Sequence, residues 1–286
     1  MNRRTFLKRM GGSLIAAAGM TGGTYYYAKD IEPAMLTVTD EVIASSRIPK
    51  QFDNFRIVQF SDTHIGFHYT LKQLRKLAQT VNSLQPDLIV FTGDLVDRPD
   101  RYHWNPQLID ILQQFSASEG KLWIYGNHDH GGNGTTILKS LMSQADFSLL
   151  WNDNQFIKRG SDAITIAGVD DMSLGRPDIE QALLNAPADQ FTILLSHAPD
   201  FADIAKAFPV DVQLSGHSHG GQVRLPLIGS LYTPSYATKY VKGKYAFESR
   251  TRPMTLYVNS GIGTTRLPYR FLCKPELHCY TLKSQA

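Results

Sequence analysis

A chain of 286 residues is long enough to bury a substantial core, as one large domain or two small ones. Hydrophobic residues make up 42% of it and charged residues 19%, which excludes fibrous and disordered classes. The net charge of +3 arises in the first 28 residues, where Arg3, Arg4, Lys8 and Arg9 occur without an acid and leave the remainder at −1. Because residues 29–286 are nearly neutral, their net charge gives no reason to expect binding to a polyanion. We therefore expect no nucleic-acid partner.

Residues 1–28 resemble an export signal rather than the beginning of a fold. Asn2–Lys8 contains the paired arginines, the Phe-Leu and the following Lys of a twin-arginine signal, although Asn2 stands where Ser or Thr is commoner. The next segment is weakly apolar and interrupted by five glycines, which makes it a poor membrane span. We predict export by the twin-arginine machinery to a secreted or cell-envelope location. Retention at the membrane or cell wall is the open alternative.

The first predicted strand is Leu36–Thr39, extended by Val42 and Ile43, and a loop follows it. Downstream, apolar runs of strand length end abruptly in polar residues, and a helical stretch usually comes next. The runs are Arg56–Phe60, Leu88–Phe91, Leu122–Tyr125, Phe191–Leu195 and Val210–Leu214. Continuous hydrophobicity over such lengths is typical of strands buried on both faces of a sheet.

Apolar residues recur with helical spacing between several of these runs. Three stripes, within Leu71–Leu84, Leu108–Phe115 and Ile137–Met142, predict amphipathic helices. Strands that alternate with helices predict an α/β layered domain. From about Gly220 the helical period disappears, which predicts a mostly β C-terminal part of the same domain.

The predicted strand ends carry side chains that bind divalent metals. They are Asp62 and His64, Asp94, Asn127 and His128, His197, and His217 and His219. Because ligands gather at the carboxyl ends of strands in open α/β sheets, we expect these residues to converge. Carboxylate, imidazole and amide oxygen together favour Mn, Fe or Zn over Ca or Mg. Seven of these residues, all except His128, are candidate ligands. Seven are too many for one tetrahedral ion, whereas two ions that share a carboxylate would use them all.

Five short motifs resemble those of the calcineurin-like metallophosphoesterases, in that family's order. They are Asp62-x-His64, Gly93-Asp94-x-x-Asp97, Gly126-Asn127-His128-Asp129, Ser196-His197 and Gly216-His217-Ser218-His219. Each motif alone is weak, but the ordered set, which covers about residues 56–220, is specific. The leader, Gly220-Gly221-Gln222 and Arg270–Glu276 resemble an exported bacterial branch of this superfamily. The resemblance implies a two-sheet β-sandwich flanked by helices in four layers.

The resemblance also implies a role for each metal-binding residue. Asp62, His64 and His219 would bind one ion, Asn127, His197 and His217 the other, and Asp94 would bridge the two. His128 would act as general acid or charge stabiliser, oriented by Asp97 or Asp129. Two ions roughly 3.5–4 Å apart can hold a bridging hydroxide for in-line attack on phosphorus. A lone His197 would ordinarily be a core histidine, and only the other motifs make it a candidate ligand.

Substrate contacts are less specific in the sequence. Four cations, Arg98, Arg224, Arg266 and Arg270, are candidate phosphate partners, and each fits an ordinary surface cation equally well. The Pro- and Tyr-rich stretch Arg224–Tyr245 predicts a flap over the site. Cys273 and Cys279 are interpreted as strand residues of the last hairpin, although an oxidising compartment would permit a bridge.

These observations predict a metal-dependent phosphoesterase outside the cytoplasm that favours phosphodiesters over phosphomonoesters. The expected division is a leader at 1–28, an N-terminal strand and linker at 29–55, and a catalytic domain at 56–286. One alternative is a hydrolase of a membrane lipid phosphate or nucleotide-lipid, and another is a non-catalytic metal-binding envelope protein. The intact motif set argues against the last alternative, since no ligand position is replaced.

Overall fold

The computed structural model describes residues 2–248 and 252–285, without the side chains of 6–9 and 11–18. Most of the predicted apolar stretch of the leader therefore has no described side chains. Within the described residues a helix, α1, spans Arg3–Tyr26 and continues as a π-helical turn, Tyr27–Ile31. No helix in this part of the chain is both long and apolar enough to cross a membrane.

Two six-stranded sheets form the centre of the protein. Sheet one has the order β1-β14-β2-β3-β4-β5, and sheet two the order β12-β13-β9-β8-β7-β6. The strands of sheet one are β1 (Thr37–Ser45), β2 (Arg56–Phe60), β3 (Leu88–Phe91), β4 (Lys121–Trp123), β5 (Phe147–Leu149) and β14 (Glu276–Ser284). Those of sheet two are β6 (Asp153–Arg159), β7 (Asp162–Gly168), β8 (Thr192–Leu195), β9 (Val212–Ser215), β12 (Gly243–Phe247) and β13 (Met254–Val258). A short hairpin, β10 (Arg224–Leu225) with β11 (Gly229–Ser230), stands apart from both.

Helices cover the outer faces of both sheets. They are α2 (Leu71–Ser83), α3 (Gln107–Leu112), α4 (Asn133–Gln144), α5 (Ile179–Ala182) and α6 (Ala202–Ala205). The first three pack on sheet one and share one apolar cluster with it, and the last two do the same on sheet two. A third cluster fills the space between the sheets. The predicted α/β fold, with two sheets flanked by helices in four layers, is confirmed.

Strand β3 shows why the continuous apolar runs form central strands. Leu88 and Val90 face the core between the sheets, whereas Ile89 and Phe91 face the helices of sheet one. Because side chains of a strand alternate between its two faces, a strand covered on both sides needs an apolar residue at every position. The predicted bounds of β2 and β3 are those observed, and predicted helices at α2, α3 and α4 are confirmed.

The sheet order places residues from both ends of the chain side by side. Strand β14 lies between β1, with which it is parallel, and β2, with which it is antiparallel. The predicted first strand is confirmed and belongs to sheet one. Cys279 lies on β14, but Cys273 lies in the loop before it, and the two buried thiols are free.

Candidate metal centre

The metal-binding side chains follow strands whose carboxyl ends meet at one edge of the sandwich. In sheet one, β2, β3 and β4 are mutually parallel and lead to Asp62, Asp94 and Asn127. In sheet two, β8 and β9 are parallel and lead to His197 and His217. The parallel pairing therefore brings together residues that are far apart in sequence, as expected for an α/β sheet.

The backbone around these residues is strained. Five of the seven predicted ligands have positive φ angles, namely Asp62 (54°), His64 (44°), Asp94 (62°), His217 (66°) and His219 (50°). Residues with side chains rarely adopt this left-handed conformation. Such strain persists only where the surrounding structure holds it, and it clusters at functional sites.

Two glycines make room for the Asp94 carboxylate. Gly93 has φ of 95°, and a Cβ at this position would collide with the backbone of Gly126. At Gly126 a Cβ would collide with the Asp94 carboxylate itself. Only glycine fits both places, which accounts for the Gly-Asp and Gly-Asn-His motifs.

The seven predicted ligands supply two of three groups of side chains that, within the described residues, could hold a metal ion, and the third group is His64, Asp97 and His128. The Asp62 group contains Asp62, His64 and His219, and the Asp94 group contains Asp94, His197 and His217; in each, one nitrogen or oxygen per residue lies within 4.8 Å of the others. Asp94 Oδ2 lies 3.2 Å from His197 Nε2 and 3.5 Å from His64 Nε2, so it stands between the two groups. This arrangement is the one in which a carboxylate can be shared.

The hydrogen bonds of the Asp94 group test whether its residues fit a cation. His197 Nδ1 lies 2.6 Å from the carbonyl of Thr92, and His217 Nε2 lies 2.8 Å from the carbonyl of Ser235. Because a carbonyl only accepts, each of these nitrogens carries a proton. In the neutral rings His197 Nε2 and His217 Nδ1 therefore face each other with lone pairs, 3.1 Å apart. Two lone pairs beside a carboxylate repel unless a proton or a metal ion lies among them, and this set of nitrogen and oxygen donors fits a divalent metal.

The Asp62 group shows the same convergence. His64 Nε2 lies 3.0 Å from His219 Nε2, and His219 Nε2 lies 3.4 Å from Asp62 Oδ1. The amide oxygen of Asn127, which is a predicted ligand of the other ion, is buried and finds no donor among the described residues. A buried oxygen without a donor is costly unless it binds a cation. Both groups therefore fit metal ions, and the assignment of each ligand stays a prediction.

Histidine pKa values in the centre move in opposite directions. Burial lowers the pKa of His197, but the Asp94 carboxylate outweighs it and raises that pKa well above the usual range. Burial and the neighbouring His197 lower the pKa of His217. Burial and the adjacent His64 and Arg270 lower the pKa of His219 well below the usual range. Closely packed imidazoles thus compete for positive charge.

Asp129 and Asp97 have different positions around the centre. The buried carboxylate of Asp129 accepts from the backbone amides of Asp94 (2.7 Å), Leu95 (3.1 Å) and Gly126 (2.8 Å), and so joins two motifs. Asp97 Oδ1 lies 3.2 Å from His64 Nδ1. The carbonyl of Asp97 accepts from His128 Nδ1 at 2.6 Å. Orientation of His128 therefore comes from the backbone of Asp97, with its carboxylate at 3.8 Å.

A cavity of about 420 Å³ opens over the centre and contains the predicted catalytic His128. Its polar floor is formed by His64, Asp94, Asn127, His128, His217 and His219, and its wall includes Val223, Leu231, Tyr232, Pro234 and Leu267. The wall is thus mostly apolar and aromatic. Segment 223–234 contributes much of it, in the place where a flap was predicted.

The four predicted substrate-binding arginines lie in different environments. Arg266 lines the cavity and its guanidinium lies 4.8 Å from the Tyr232 ring centroid. Arg98 is 65% exposed beside Asp97, and Arg224 donates to the carbonyl of Gly220. Arg270 is fully buried, and its guanidinium donates to the carbonyls of Ser260, Gly261, Gly263, Cys273 and Lys274. Its position differs from the predicted substrate contact, since it braces the loop beside Asp62.

Sequence reasoning missed Thr92 and Ser235, which orient the histidines of the Asp94 group. Both act through backbone carbonyls, which every residue possesses, so their side chains give no signal. The loop Ser260–Gly263 was missed for the same reason. Its backbone amides at Ile262 and Gly263 donate to the carbonyls of Ser61 and Asp62.

A family model described as calcineurin-like phosphoesterase matches residues 55–221. The chain belongs to the calcineurin-like phosphoesterase family. The uncharacterized metallophosphoesterase YkuE of Bacillus subtilis is 48% identical over 99% of this chain and 98% of its own length. Family membership confirms a metal-dependent phosphoester hydrolase.

Two more distant relatives have activities in their names. The UDP-2,3-diacylglucosamine pyrophosphatase LpxG of Chlamydia muridarum is 29% identical over 93% of this chain and 94% of its own length. The phosphodiesterase YaeI of Escherichia coli is 26% identical over 97% of each chain. This chain is therefore similar along its whole length to a pyrophosphatase and to a phosphodiesterase.

Proposed function

We propose that this protein hydrolyses phosphate esters with two divalent metal ions, Mn, Fe or Zn, and prefers phosphodiesters to phosphomonoesters. The observation that carries the proposal is the position of Asp94 between two groups of buried ligands. Its Oδ2 lies 3.2 Å from His197 Nε2 and 3.5 Å from His64 Nε2. A shared carboxylate is the simplest way to hold two ions at the separation that phosphoryl transfer needs.

The residues that would hold the ions are the two groups together with Asn127, whose buried amide oxygen lacks a donor among the described residues. One ion would take Asp62, His64 and His219, and the other Asn127, His197 and His217, with Asp94 common to both. When bound, the ions would supply Lewis-acid charge for the phosphoryl oxygens and a lowered pKa for the attacking water. The burial of both groups excludes bulk water from the ligands and strengthens these electrostatic effects.

His128 is the residue placed to hand over a proton. Its Nδ1 is fixed on the carbonyl of Asp97, which leaves Nε2 as the free ring nitrogen on a side chain that borders the cavity. Burial lowers the pKa of His128, but the carboxylates of Asp94 and Asp97 outweigh it and raise the pKa. A charged His128 can donate to the leaving oxygen or stabilise negative charge at phosphorus.

The preference for diesters rests on the charge around the cavity. Apart from the histidines and the proposed ions, Arg266 is the one cation among the described lining residues. A phosphomonoester dianion carries a second negative charge and would find few cations besides Arg266 to neutralise it. A phosphodiester carries a single negative charge and needs fewer positive partners. The apolar wall would also receive the second ester substituent.

Turnover of aryl phosphodiesters and aryl phosphomonoesters by metal-loaded protein tests this function. We expect chelation to abolish hydrolysis, Mn, Fe or Zn to restore it, and kcat/KM to be higher for the diester. Asp110→Ala, which removes an exposed carboxylate on α3, is the matched control and should retain full activity. Absence of metal-dependent turnover with both ester classes would remove the proposal, and a higher kcat/KM for the monoester would remove the preference.

We further propose that the chain leaves the cytoplasm by the twin-arginine route. The support is the sequence of the leader, with Arg3 and Arg4 ahead of a weakly apolar segment. Arg3→Lys with Arg4→Lys keeps the charge and removes the arginine pair. We expect the variant to accumulate in the cytoplasm, as seen by cell fractionation, and equal export of both forms would contradict the route.

A lipid phosphate or nucleotide-lipid is the second candidate substrate. It is favoured by the apolar cavity wall, which includes Val223, Leu231 and Leu267. A relative is named for a diacylated sugar nucleotide. Hydrolysis of detergent-dispersed phospholipids is the test, and failure both to bind and to turn over such lipids would exclude this substrate class.

A further inference from the structure

The hairpin β10–β11 projects two large apolar side chains into solvent at the rim of the cavity. Leu227 is 108% exposed and Ile228 is 72% exposed, although both are residues that proteins usually bury. They occupy the loop between Leu225 and Gly229, which pair across the hairpin. Their exposure is a feature of the hairpin tip, since neither side chain lines the cavity itself.

The backbone of the tip is held in an unusual conformation. Leu227 has φ of 65°, in the left-handed region that leucine rarely adopts. Gly or Asn would occupy this position without strain, so a leucine here needs an explanation other than turn formation. An apolar partner that receives the side chain would supply one.

The tip is continuous with the wall of the catalytic cavity. Val223 and Leu231, on the two sides of the hairpin, are joined by a backbone hydrogen bond of 3.0 Å and both line the cavity. The amide of Arg224 donates to the carbonyl of Phe271 at 2.9 Å, which fastens the hairpin to the loop before β14. Leu267, on that loop, lines the cavity and is 54% exposed.

The same loop carries the end of α1. Tyr25 packs against Tyr269 with ring centroids 5.6 Å apart, and Tyr27 packs against Phe271 at 6.3 Å. Tyr25 is nevertheless about half exposed. Contacts therefore run without interruption from the hairpin tip, past the cavity mouth, to the end of the leader. We call the exposed residues Tyr25, Leu227, Ile228, Leu231, Tyr232 and Leu267 the apolar rim.

The charge of the segments that bear the rim is one-sided. Residues 220–247 and 259–275 together contain seven Arg and Lys and no Asp or Glu. Of the seven, only Arg270 is fully buried. One of the exposed cations, Lys239, is paired with Asp203 from outside these segments. From the leader side, Asp30 is exposed, whereas Glu32 is buried and accepts from the amides of Leu272 and Cys273. Exposed apolar residues within a basic surface are typical of proteins that lie on anionic membranes.

We infer that the apolar rim docks on an anionic lipid bilayer, with Leu227 and Ile228 inserted among the acyl chains. Docked in this way, the cavity mouth faces the headgroup region, so the substrate is the phosphoester of an amphiphile that resides in the bilayer. The substrate part of this inference rests on the proposed phosphodiester hydrolysis. The docking part does not depend on any catalytic step.

A fluorescent reporter at the tip tests docking directly. The full chain with Ile228→Cys is labelled with an environment-sensitive thiol dye, which is selective because Cys273 and Cys279 are each 1% exposed. With vesicles of phosphatidylglycerol and phosphatidylethanolamine we expect a blue shift and protection from an aqueous quencher. Leu184→Cys, labelled in the same way at a site that is 54% exposed on the far side of sheet two, should show neither. Equal responses from both positions would overturn the inference, whatever α1 contributes to binding.

Hydrolysis of a soluble diester and of a diester held in vesicles tests whether the substrate resides in the bilayer. The variant with Leu227→Asn and Ile228→Asn should hydrolyse soluble bis(para-nitrophenyl) phosphate as the wild type does. On para-nitrophenyl hexadecyl phosphate held in the same vesicles, we expect about a tenfold loss, since interfacial binding scales with the apolar area inserted. Equal loss on both substrates would refute a docking role.

The controls separate this inference from the proposed function. If the wild type hydrolyses neither substrate, the proposed function fails while the fluorescence still reports on docking. If it hydrolyses the soluble ester and the tip stays in water, docking alone fails. A blue shift that rises with protein concentration without vesicles would identify a second copy of the chain as the partner and overturn the bilayer.

Discussion

The two ligand groups differ in how their imidazoles are held. In the Asp94 group, the carbonyls of Thr92 and Ser235 orient both histidines and fix their tautomers. In the Asp62 group, the Nδ1 atoms of His64 and His219 are both buried without a hydrogen-bond partner among the described residues, although Asp97 Oδ1 lies 3.2 Å from that of His64. Hydrogen bonds that fix the orientation of a ligating imidazole raise its affinity for a metal ion. We therefore expect the Asp94 group to hold its ion tightly and the Asp62 group to exchange its ion more readily.

Asp94→Ala gives the largest expected effect, because it removes the residue that the two groups share. We expect loss of both ions and a fall in kcat on the order of 10⁴-fold, since the electrostatic basis of the reaction disappears. Metal analysis by mass spectrometry and steady-state kinetics measure it, with Asp110→Ala as control. Retention of two ions would contradict the shared position of Asp94.

His128→Ala should separate proton transfer from metal binding. Loss of a positioned general acid lowers kcat by about 10²–10³-fold. Because His128 belongs to neither ligand group, metal content should stay at the wild-type value. A variant that loses metal together with activity would show that His128 holds the centre together instead.

Arg270→Ala should weaken the loop that supports Asp62. Five carbonyls lose a buried charged donor, and we expect the free energy of unfolding to fall by about 3 kcal/mol. Urea denaturation measures the change, with the exposed Arg98→Ala as control, which should stay within about 0.5 kcal/mol of wild type. Where the alanine variant does not fold, Arg270→Lys should fold with an intermediate loss. Wild-type stability in both variants would contradict the bracing role.

Asp97→Asn addresses the difference between the groups most directly. It removes the charge that faces His64, so we expect about a 10–100-fold weaker ion in the Asp62 group alone. Competition with a chromogenic chelator would resolve the two affinities. Weaker binding of the tight ion alone would show that the Asp62 group, not the Asp94 group, holds the tighter ion. Equal weakening of both ions would contradict a separate effect on the Asp62 group.

Asp170→Asn is the smallest change and lies outside both groups. Burial raises the pKa of Asp170, but hydrogen bonds from His130 and the amide of Arg176 outweigh it and lower the pKa to about 2. An aspartate with a lowered pKa stabilises the fold above its unfolded pKa of about 3.9 and loses that contribution as the pH falls towards 2. We expect the variant to be about 1–2 kcal/mol less stable at pH 6 and to lose less stability between pH 4 and pH 2. The metal content of the variant should match that of the wild type. A change in metal content would show that the Asp170–His130 pair contributes to the metal centre.

The sequence predicted most of the site because each metal-binding residue follows an apolar run that forms a central strand. Strands such as β2 and β3 have unambiguous ends, since apolar residues on both faces give way at once to polar ones. The order of the sheets was not predictable in detail, because pairing between distant strands leaves no local pattern. Arg270 shows the limit for side chains, since a buried arginine and a surface arginine look alike in a sequence. Only the fold shows which carbonyls surround it.

The position of β14 has a consequence for biosynthesis. Tyr280 pairs with Ile57, so the strand beside β2 is synthesised more than 220 residues after it. Contacts of such long range form slowly and late. A nascent chain on the ribosome therefore exposes the edge of β2 until residues 278–281 have been made. Asp62 lacks its supporting loop until residues 260–263 have been made. We therefore expect the Asp62 group to reach its final geometry late in translation, after the residues of the Asp94 group have all been made.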